Sequence, residues 1–593
     1  MGKTTTICQM VLFAACPLAG LEAVALQPDE DVVMQALAAE LERSMTLQLE
    51  DLQSPYFVQC AVDDRESYRI SATCGAIVTS DDGRSRNLAA DIRVGSYDFD
   101  STNFAGGGGG GFGGRGRRGG GGVTALPIED SYSAIRQATW LATDSAYKTA
   151  VETFARKQAY MEDRSLQDRP DDFARAEPVV SIDPRTALTF DVDAWERRLR
   201  VISARFLEHP HVLDSSVTLT ASADNRYLIN SEGTRIRKGV AGVVLTISAQ
   251  TQAEDGEQLS DRITHHAATA DGLPGEAELL AEINAMAERL AGRARAPALE
   301  DYIGPVLFDG RAAPQLFQVV LARGVAGRPE PLGGERRRFA GLQSLDKYLG
   351  KRILPRSFQV YDDPQAASSG EMYLAGHYAI DDEGTPAQRV DIVVDGRLKG
   401  MVMSRVPTRE FAASNGHGRS AGLGRTRVAV GCLFVEAADG VSDEELKQAL
   451  IEAARDQGLE YGLRIDSISG GGGGRQMGPR PGRRAPGRFQ FGGRGEAESP
   501  LGDPVTVYKV YLDGREEPVR GCEFGSLDVA TLKDIIAAGD KPILYNTGSA
   551  TGAATSIVAP AVLFEELELF TIEEDRQKLP ILEAPHQRTN TGG

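Results

Sequence analysis

Helix-like and strand-like segments are distributed differently in the two halves of the chain, and this asymmetry most constrains the fold. In the first half, helical patterns such as residues 131–157, with apolar residues at three- and four-residue steps, alternate with β-rich runs such as residues 216–222 and 242–248. After Pro355, strand and turn signals dominate, including the hairpin signal Asp395-Gly396. We therefore predict an α+β fold in which an N-terminal α+β domain precedes a C-terminal domain rich in antiparallel β-sheet.

The length of the chain supports this division into two domains. At 593 residues the chain exceeds what one hydrophobic core organises. We place the N-terminal domain at residues 26–295 and the C-terminal domain at residues 296–580, followed by a flexible tail at residues 581–593. Further helices are expected at residues 33–49, 276–290 and 527–538, and one that starts with a capping box at Ser442 and ends at Gly458.

Two low-complexity stretches, residues 106–122 and residues 469–495, combine glycine with arginine. They lack the apolar side chains needed to form a core, so we predict disordered insertions. Arginine pairs with phosphate, and phenylalanines in both stretches could stack on bases. The net charge of −19 disfavours nucleic acid as a partner. Binding of other polyanions through these loops remains an alternative function.

The N-terminus has the pattern of a secretory signal peptide. Lys3 precedes an apolar run at residues 7–21, and Ala23-Val24-Ala25 provides a small-residue cleavage signal. Residues 1–25 are therefore predicted to be removed on export to the periplasm or the extracellular space. A buried first helix is the alternative, and a weak lipobox ending at Cys16 leaves lipoprotein export open. No later apolar run approaches membrane length.

Six cysteines are present, and none forms a Cys-x-x-Cys pair. A zinc ribbon is therefore not expected. Cys60 and Cys74 fall on strand-like segments that we predict to be adjacent, and they could form a disulfide in an oxidising compartment. Free buried thiols are an equally good interpretation.

Several segments together carry a family resemblance. They are residues 230–233, 304–313, 381–389, 414–419, 513–521 and 559–567. In these segments the chain resembles the TldD/PmbA family, and the resemblance covers most of the sequence after the export signal. It implies a two-domain fold and dimers, either homodimers or TldD–TldE heterodimers, around an enclosed cavity. It also implies a zinc-dependent, peptide-cleaving catalytic subunit and a PmbA/TldE subunit without the metal motif.

The family's zinc motif is absent from this chain. Catalytic members carry His-Glu-x-x-x-His on a helix, where two imidazoles bind the metal and the glutamate activates water. This spacing is one residue wider than His-Glu-x-x-His, so the resemblance implies a local distortion of the helix. Counting from the Pro305 strand places Gln318, Val319 and Arg323 at the three positions. The family's cysteine ligand also has no counterpart in residues 545–549.

The remaining histidines offer no convincing catalytic pattern. His209-Pro210-His211 lies on a turn, and His265 and His266 are neighbours on a strand-like segment. We expect these side chains to be exposed or satisfied by other partners. The chain also lacks a Gly-x-Ser-x-Gly elbow, a P-loop and a dinucleotide fingerprint.

The loop at residues 414–419 is the best candidate for substrate contact. Asn415, His417 and Arg419 offer an amide, an imidazole and a guanidinium, which suit a peptide backbone or carboxylate. The alternative is that this loop holds the C-terminal domain together through hydrogen bonds. The acidic run Asp381–Glu383 is interpreted as a solvated turn rather than a calcium site.

Together these features predict a metallopeptidase-related protein without its own zinc site. It would bind peptide, or act as the non-catalytic partner of a TldD-like paralogue that carries the zinc, as a homodimer or a heterodimer. The alternatives are an exported polyanion-binding protein and an active peptidase with atypical residues. We expect no catalytic residue, metal or cofactor in this chain itself.

Overall fold

The computed structural model describes residues 31–49, 52–105, 122–162, 169–333, 344–420, 423, 426–469, 501–548 and 553–572. The predicted signal peptide, the tail, and the two Gly/Arg-rich insertions except for their end residues Gly122 and Ser469 lie outside these ranges. The domain limits given above stay a prediction. None of the helices in the described ranges is long and apolar enough to cross a membrane.

The first half of the chain forms one large sheet. Its strands are β1 (Pro55–Thr73), β2 (Ala76–Val94), β3 (Thr124–Ala125), β4 (Val180–Ile182), β5 (Asp214–Asn230), β6 (Arg235–Gln252) and β7 (Gln258–Ala267). The strand order is β3-β2-β1-β5-β6-β4, with β7 also paired to β6. The pairs are antiparallel except for β4 with β6. This is the α+β arrangement expected for this half.

Four helices cover the apolar face of this sheet. They are α1 (Val32–Ser44), α2 (Tyr132–Glu162), α3 (Val192–Ala204) and α4 (Glu276–Arg295). Alternate residues of the long strands, such as Val217 and Leu219 of β5, are fully buried against Leu199 and Leu290 of α3 and α4. The residues that β5 buries at every second position therefore pack against those that the helices bury at every third or fourth position, and one core forms between them.

The second half contains two further large sheets. The strands are β8 (Tyr302–Phe308), β9 (Phe358–Asp362), β10 (Ser368–Ser369), β11 (Met372–Tyr373), β12 (Val390–Val394), β13 (Arg397–Leu398), β14 (Gly418–Arg419), β15 (Arg427–Val428), β16 (Cys432–Ala437), β17 (Tyr461–Ile468), β18 (Pro504–Tyr511), β19 (Glu516–Val519), β20 (Cys522–Phe524), β21 (Ile535–Ala538), β22 (Ile543–Thr547), β23 (Thr555–Ala559) and β24 (Val562–Thr571). One sheet has the order β13-β12-β9-β16-β23-β22. The other has the order β19-β18-β17-β8-β24-β20, with β21 also paired to β24. Most pairs are antiparallel, as predicted.

Two helices belong to this half: α5 (Ala312–Phe317) and α6 (Asp443–Asp456). Helix α5 contacts β8 and β17 of one sheet and β22 and β23 of the other, so it lies between the two sheets. The capping box at Ser442 is confirmed, because its hydroxyl accepts from Glu445 N and the Glu445 carboxylate accepts from Ser442 N.

Hairpin turns follow the sequence signals closely. Asp395 and Gly396 have φ angles of 50° and 72°, and they join β12 to β13 as predicted.

The predicted helix at residues 527–538 is wrong: a short 3₁₀ turn at Thr531–Asp534 leads into β21, which pairs with β24. Tertiary pairing overrides the local helical preference there, because Ile535 and Ala538 are buried against β24.

The expected adjacency of Cys60 and Cys74 is also wrong. Cys60 lies within β1 and Cys74 directly follows the same strand, so the two residues are separated along one strand by roughly 45 Å. Both are free thiols; Cys60 is buried and Cys74 is exposed. A disulfide between them would require β1 to fold back on itself.

Candidate functional site

The helix after β8 changes its helical geometry at Gln318, the residue at which the count along the sequence predicts the start of the zinc motif. Residues Ala312–Phe317 are α-helical, and Gln318–Ala322 continue as a π-helix. A π-helix bonds residue i to residue i+5, so it widens the turn. Gln318 and Arg323 are five residues apart, as are the two histidines of His-Glu-x-x-x-His. The wider turn expected from this spacing is therefore present at Gln318–Ala322, and whether it corresponds to the zinc motif of the family stays a prediction.

The side chains on this turn do not fit a zinc ion. The Gln318 amide donates from Nε2 to Thr547 Oγ1 at 3.2 Å, and Val319 is buried. The guanidinium of Arg323 is a cation with no acceptor atom. Zinc in proteins takes thiolate, imidazole or carboxylate ligands, and this turn offers none of them. In the parts of the chain that the structure describes, no group of three or more His, Cys, Asp or Glu residues could hold a metal ion.

One histidine reaches the strand end beside this turn. His266 of β7 lies 3.3 Å through Nε2 from the carbonyl oxygen of Gly548, the residue after Thr547. Burial lowers the pKa of His266. A neutral ring that donates Nε2–H to the carbonyl fits this contact. The N-terminal sheet and the π-helix therefore both contact the end of β22, with one hydrogen bond from each.

The other candidate histidines have partners of an ordinary kind. His209 Nε2 lies 3.0 Å from Asn284 Oδ1, and His211 Nε2 lies 2.8 Å from the carbonyl oxygen of Ala287. His265 Nε2 lies 2.8 Å from a Glu282 carboxylate oxygen. These contacts agree with the expectation of satisfied side chains.

The predicted substrate-binding loop turns its polar side chains into the protein. Asn415 Oδ1 accepts from Met403 N at 2.7 Å, and Asn415 Nδ2 donates to the Met401 carbonyl at 2.9 Å. Gly416 has a φ of +79°, and a Cβ there would lie 2.3 Å from the Pro386 carbonyl oxygen. The loop therefore has a close backbone approach that only glycine allows. These bonds favour the interpretation that the loop holds the domain together, while peptide contact stays a prediction.

His417 makes a buried contact with Asp362 at the end of β9. Its Nε2 lies 2.8 Å from Asp362 Oδ2, and its Nδ1 lies 2.8 Å from Asn415 Oδ1. Both side chains of the His417–Asp362 pair are fully buried. Asp362 Oδ1 has no hydrogen-bond partner among the described residues, so His417 and the backbone N–H of Gly431, which lies 3.0 Å from Oδ2, compensate for the burial of this carboxylate.

Arg419 is held by an aromatic ring and a carboxylate. Its guanidinium carbon lies 3.9 Å from the centre of the Tyr378 ring, and its Nε lies 3.9 Å from Asp382 Oδ2. The side chain is nearly buried. The structure thus places Asn415, His417 and Arg419 on one loop, where each side chain has a partner inside the protein.

The acidic turn at residues 381–383 is not solvated, contrary to expectation. Asp381 accepts from Glu383 N and Thr385 N through Oδ1 and from Gly418 N through Oδ2, at 2.8–2.9 Å. Asp382 Oδ2 accepts from Ser420 N at 2.7 Å. All three acidic residues of the turn are buried. Contacts with the loop at residues 414–420, rather than with water, therefore satisfy their oxygens.

This turn also binds the N-terminal sheet. Asp382 Oδ1 lies 2.6 Å from Arg226 Nη1 of β5 and 3.1 Å from Lys238 Nζ of β6. Arg226 in turn pairs with both carboxylate oxygens of Asp63 on β1, at 2.5 and 2.9 Å. We call Asp63, Arg226, Lys238 and Asp382 the junction cluster. It joins the two halves through two buried carboxylates and two partly buried cations.

Burial and neighbouring charges shift the pKa values of Asp381 and Asp382 in opposite directions. Burial opposes ionisation of Asp382, but Arg226, Lys238 and Arg419 outweigh it and lower its pKa. Burial and the neighbouring Glu383 raise the pKa of Asp381 to about 7. Asp382 is therefore ionised across the physiological range, and Asp381 titrates within it.

Sequence reasoning missed the junction cluster and Asp362. A signal for the cluster existed, because Asp63 stands opposite Arg226 and Arg65 stands opposite Asp224 in the β1–β5 register. Opposite charges at alternate positions of two strands indicate cross-strand pairs once the register is known. Asp362 gave no such signal, since its partner His417 is 55 positions away in the sequence.

Residues 302–476 match the family model described as the PmbA/TldA metallopeptidase C-terminal domain. No curated protein matches the chain. Among solved structures, TldE from Thermococcus kodakarensis is 12% identical, with a TM-score of 0.56 over 91% of this chain and 100% of that one.

Two further structures have the same fold. A putative modulator of a DNA gyrase from Thermotoga maritima is 13% identical, with a TM-score of 0.56 over 91% of this chain and 99% of that one. A putative modulator of DNA gyrase from Bacteroides thetaiotaomicron is 11% identical, with a TM-score of 0.57 over 93% of this chain and 100% of that one. The TM-scores show a common fold despite the low identities, and the predicted α+β architecture is confirmed.

Proposed function

We propose that this chain is a metallopeptidase-related protein of the TldD/PmbA family that does not carry zinc, because residues 302–476 match the family's C-terminal domain and the chain has the fold of TldE. It binds peptide or serves as the non-catalytic subunit beside a zinc-bearing, TldD-like paralogue. The single observation that carries the proposal is the π-helix at Gln318–Ala322, whose backbone suits a His-Glu-x-x-x-His motif while its side chains cannot bind the metal.

The replacement side chains support a lasting loss of the metal rather than a partial site. The Gln318 amide is hydrogen-bonded to Thr547, near the position where the family places its cysteine ligand. Val319 is packed in the core with Leu316 and Val320. These contacts use the positions for packing and hydrogen bonding, so the helix keeps its place between the two sheets without a metal.

The peptide-binding part of the proposal rests on the loop at residues 414–420. Asn415, His417 and Arg419 already have internal partners, so in this proposal they act on a peptide through the backbone shape they hold. Asp381 and Asp382 accept the backbone N–H groups of Gly418 and Ser420 and hold the loop from the other side. A loop held from both sides is a preorganised surface for an extended chain.

The site of action and the partner follow from the sequence. The signal-peptide pattern of residues 1–25 supports export, to the periplasm or the extracellular space. The family resemblance supports a dimer, either of two copies of this chain or with the paralogue. The polyanion alternative rests on loops outside the described residues, and no contact described above favours it.

The experiment combines metal analysis with peptide cleavage. The mature chain is purified from its native host, its zinc content is measured, and cleavage of an unstructured peptide is assayed with and without a chelator. We expect no zinc and no cleavage by the chain alone, and chelator-sensitive cleavage when a paralogue with His-Glu-x-x-x-His is added. One zinc per chain, with cleavage by this chain alone that the chelator abolishes, would refute the proposal.

A further inference from the structure

A cavity of about 220 Å³ lies between α1 and the turn that joins β5 to β6, away from the π-helix and the junction cluster. One wall is apolar, formed by Ala38, Leu41 and Met45 of the helix. The opposite wall is formed by the turn itself, from Ile229 to Arg235. This turn contains the Asn230-Ser-Glu-Gly233 segment that belongs to the family resemblance but has no part in the function proposed above.

The floor of the cavity contains an amide group whose hydrogen-bonding capacity is half used. Asn230 is 2% exposed, and its Oδ1 accepts from Glu232 N and Thr234 N, both at 3.1 Å. Its Nδ2 is buried and has no hydrogen-bond partner within the described part of the chain. The two turn bonds fix the orientation of the amide, so Nδ2 is the free end. A buried N–H donor without an acceptor is costly, and an acceptor on a bound ligand would satisfy it.

The rim of the cavity carries one charge of each sign. Glu42 of α1 and Arg235 of β6 both line the cavity, and both are exposed. Neither side chain has an ion-pair partner among the described residues, although most arginines of the N-terminal sheet do, including Arg65, Arg86, Arg93, Arg226 and Arg237. An unpaired carboxylate and an unpaired guanidinium at one opening suit a ligand that carries both an ammonium and a carboxylate.

The end of α1 adds to this polarity. Glu42 and Met45 lie at the C-terminal end of the helix, which ends at Ser44. The carbonyl end of a helix carries partial negative charge and favours a cation. The ammonium group is therefore expected on the Glu42 side, and the carboxylate on the Arg235 side, with Leu41 and Met45 against an apolar side chain.

From these features we infer that this cavity binds a free apolar α-amino acid or a dipeptide as its zwitterion. The volume suits one such molecule, and the Asn230 Nδ2–H group donates to its carbonyl or carboxylate oxygen. Small peptides and amino acids are the products of peptide cleavage, but the inference does not depend on the proposed function. It rests on the α1 cavity alone, so either idea can fail without the other.

Calorimetric titration of the mature protein with L-leucine and with the dipeptide Leu-Leu tests the site. We expect saturable binding with one site per chain. N-acetyl-leucine, which lacks the ammonium, and leucinamide, which lacks the carboxylate, should each bind about tenfold more weakly, since each loses one charge contact. Absence of binding at millimolar concentrations of both ligands would overturn the inference.

Variants assign the binding to this cavity. Arg235→Gln should weaken L-leucine binding about tenfold and remove the preference for leucine over leucinamide. Glu42→Gln should weaken L-leucine binding about tenfold and remove the preference for leucine over N-acetyl-leucine. Asn230→Asp keeps the acceptor for the turn and replaces the donor by a carboxylate oxygen, and Ala38→Leu fills the cavity, so both should weaken L-leucine binding. The exposed Lys541→Gln serves as the matched control. Binding that both rim variants leave unchanged would place the ligand elsewhere and contradict the inference, whether or not Asn230→Asp folds.

Discussion

The π-helix and the junction cluster differ in how much they depend on side-chain chemistry. The π-helix has a backbone shape suited to a metal motif, but the side chains of Gln318, Val319 and Arg323 are an amide, an isopropyl group and a guanidinium. The junction cluster consists of paired charges, two of them buried carboxylates, although the sequence predicted a solvated turn for part of it. The π-helix has a backbone suited to zinc binding but no zinc ligands. The junction cluster has strongly interacting charges, and these charges hold the fold together.

This difference indicates that the two regions depend on their side chains for stability to different degrees. The π-turn is held by its packing between two sheets, so it does not need a metal to persist. The junction cluster depends on each of its members, because a buried charge without its partner is costly. Substitutions should therefore have small effects on stability in the first region and large effects in the second.

The largest effect is expected at Arg226. Replacing it by alanine leaves Asp63 without its partner and removes the nearest cation from Asp382, so the free energy of unfolding should fall by about 5 kcal/mol. Urea unfolding followed by circular dichroism measures this loss. The control is Lys541→Ala, which breaks the exposed pair with Asp443 and should cost less than about 1 kcal/mol. Equal losses in the two variants would contradict the structural role of the cluster.

His417 should have the next largest effect. The variant His417→Gln removes the buried imidazole that contacts both Asp362 and Asn415, and we expect a loss of about 3 kcal/mol in the free energy of unfolding. His265→Gln is a matched control, because the His265–Glu282 pair is partly exposed and its loss should cost less than about 1 kcal/mol. If His417→Gln is as stable as the wild type, the loop at residues 414–420 does not hold the domain together.

The pH dependence of stability tests the coupling between Asp381 and Glu383. The folded-state pKa of Asp381 is raised to about 7, so its protonated form stabilises the fold at low pH, and this contribution is lost as the pH rises through about 7. Glu383→Gln removes the neighbouring charge and keeps an acceptor for Arg405 N. It should reduce the loss of stability between about pH 4 and about pH 7, the interval between the unfolded and folded pKa values of Asp381, by roughly 1 kcal/mol. Identical pH profiles for variant and wild type would show that the two carboxyl groups do not interact.

The smallest effect is expected on the π-helix. Gln318→Ala removes one hydrogen bond to Thr547, and the free energy of unfolding should fall by only about 0.5–1.5 kcal/mol. Thr547→Val, which removes the other partner, should cost a similar amount, and the double variant should cost less than the sum. A loss as large as that of Arg226→Ala would mean that Gln318 has replaced the metal as an essential support of the fold.

The parts of the fold that sequence patterns predicted are those with local signals. The capping box at Ser442, the Asp395-Gly396 hairpin and the long helix α2 depend on residues near one another in the chain. The strand β21 was mistaken for a helix because its partner β24 lies elsewhere in the sequence. The same reason hid the junction cluster, whose members come from three strands and a distant turn.

The candidate site was predicted in part, because the empty motif positions follow from counting residues along one helix. That count located Gln318, Val319 and Arg323, but no local pattern indicated that the helix would still form a π-turn there. The buried environment of His417 depends on Asp362, a residue on another strand. Residues that act through distant partners need the register of the sheets before their environment can be deduced.

The most direct test of the central claim is the zinc content of the purified chain beside that of the variant Gln318→His/Val319→Glu/Arg323→His. The π-helix already provides the backbone, so the triple variant should take up zinc in proportion to protein after equilibration with the metal and gel filtration. We predict that the wild-type chain, treated in the same way, retains well below one zinc per chain. One zinc bound per wild-type chain, with the same zinc content in the triple variant, would contradict the account.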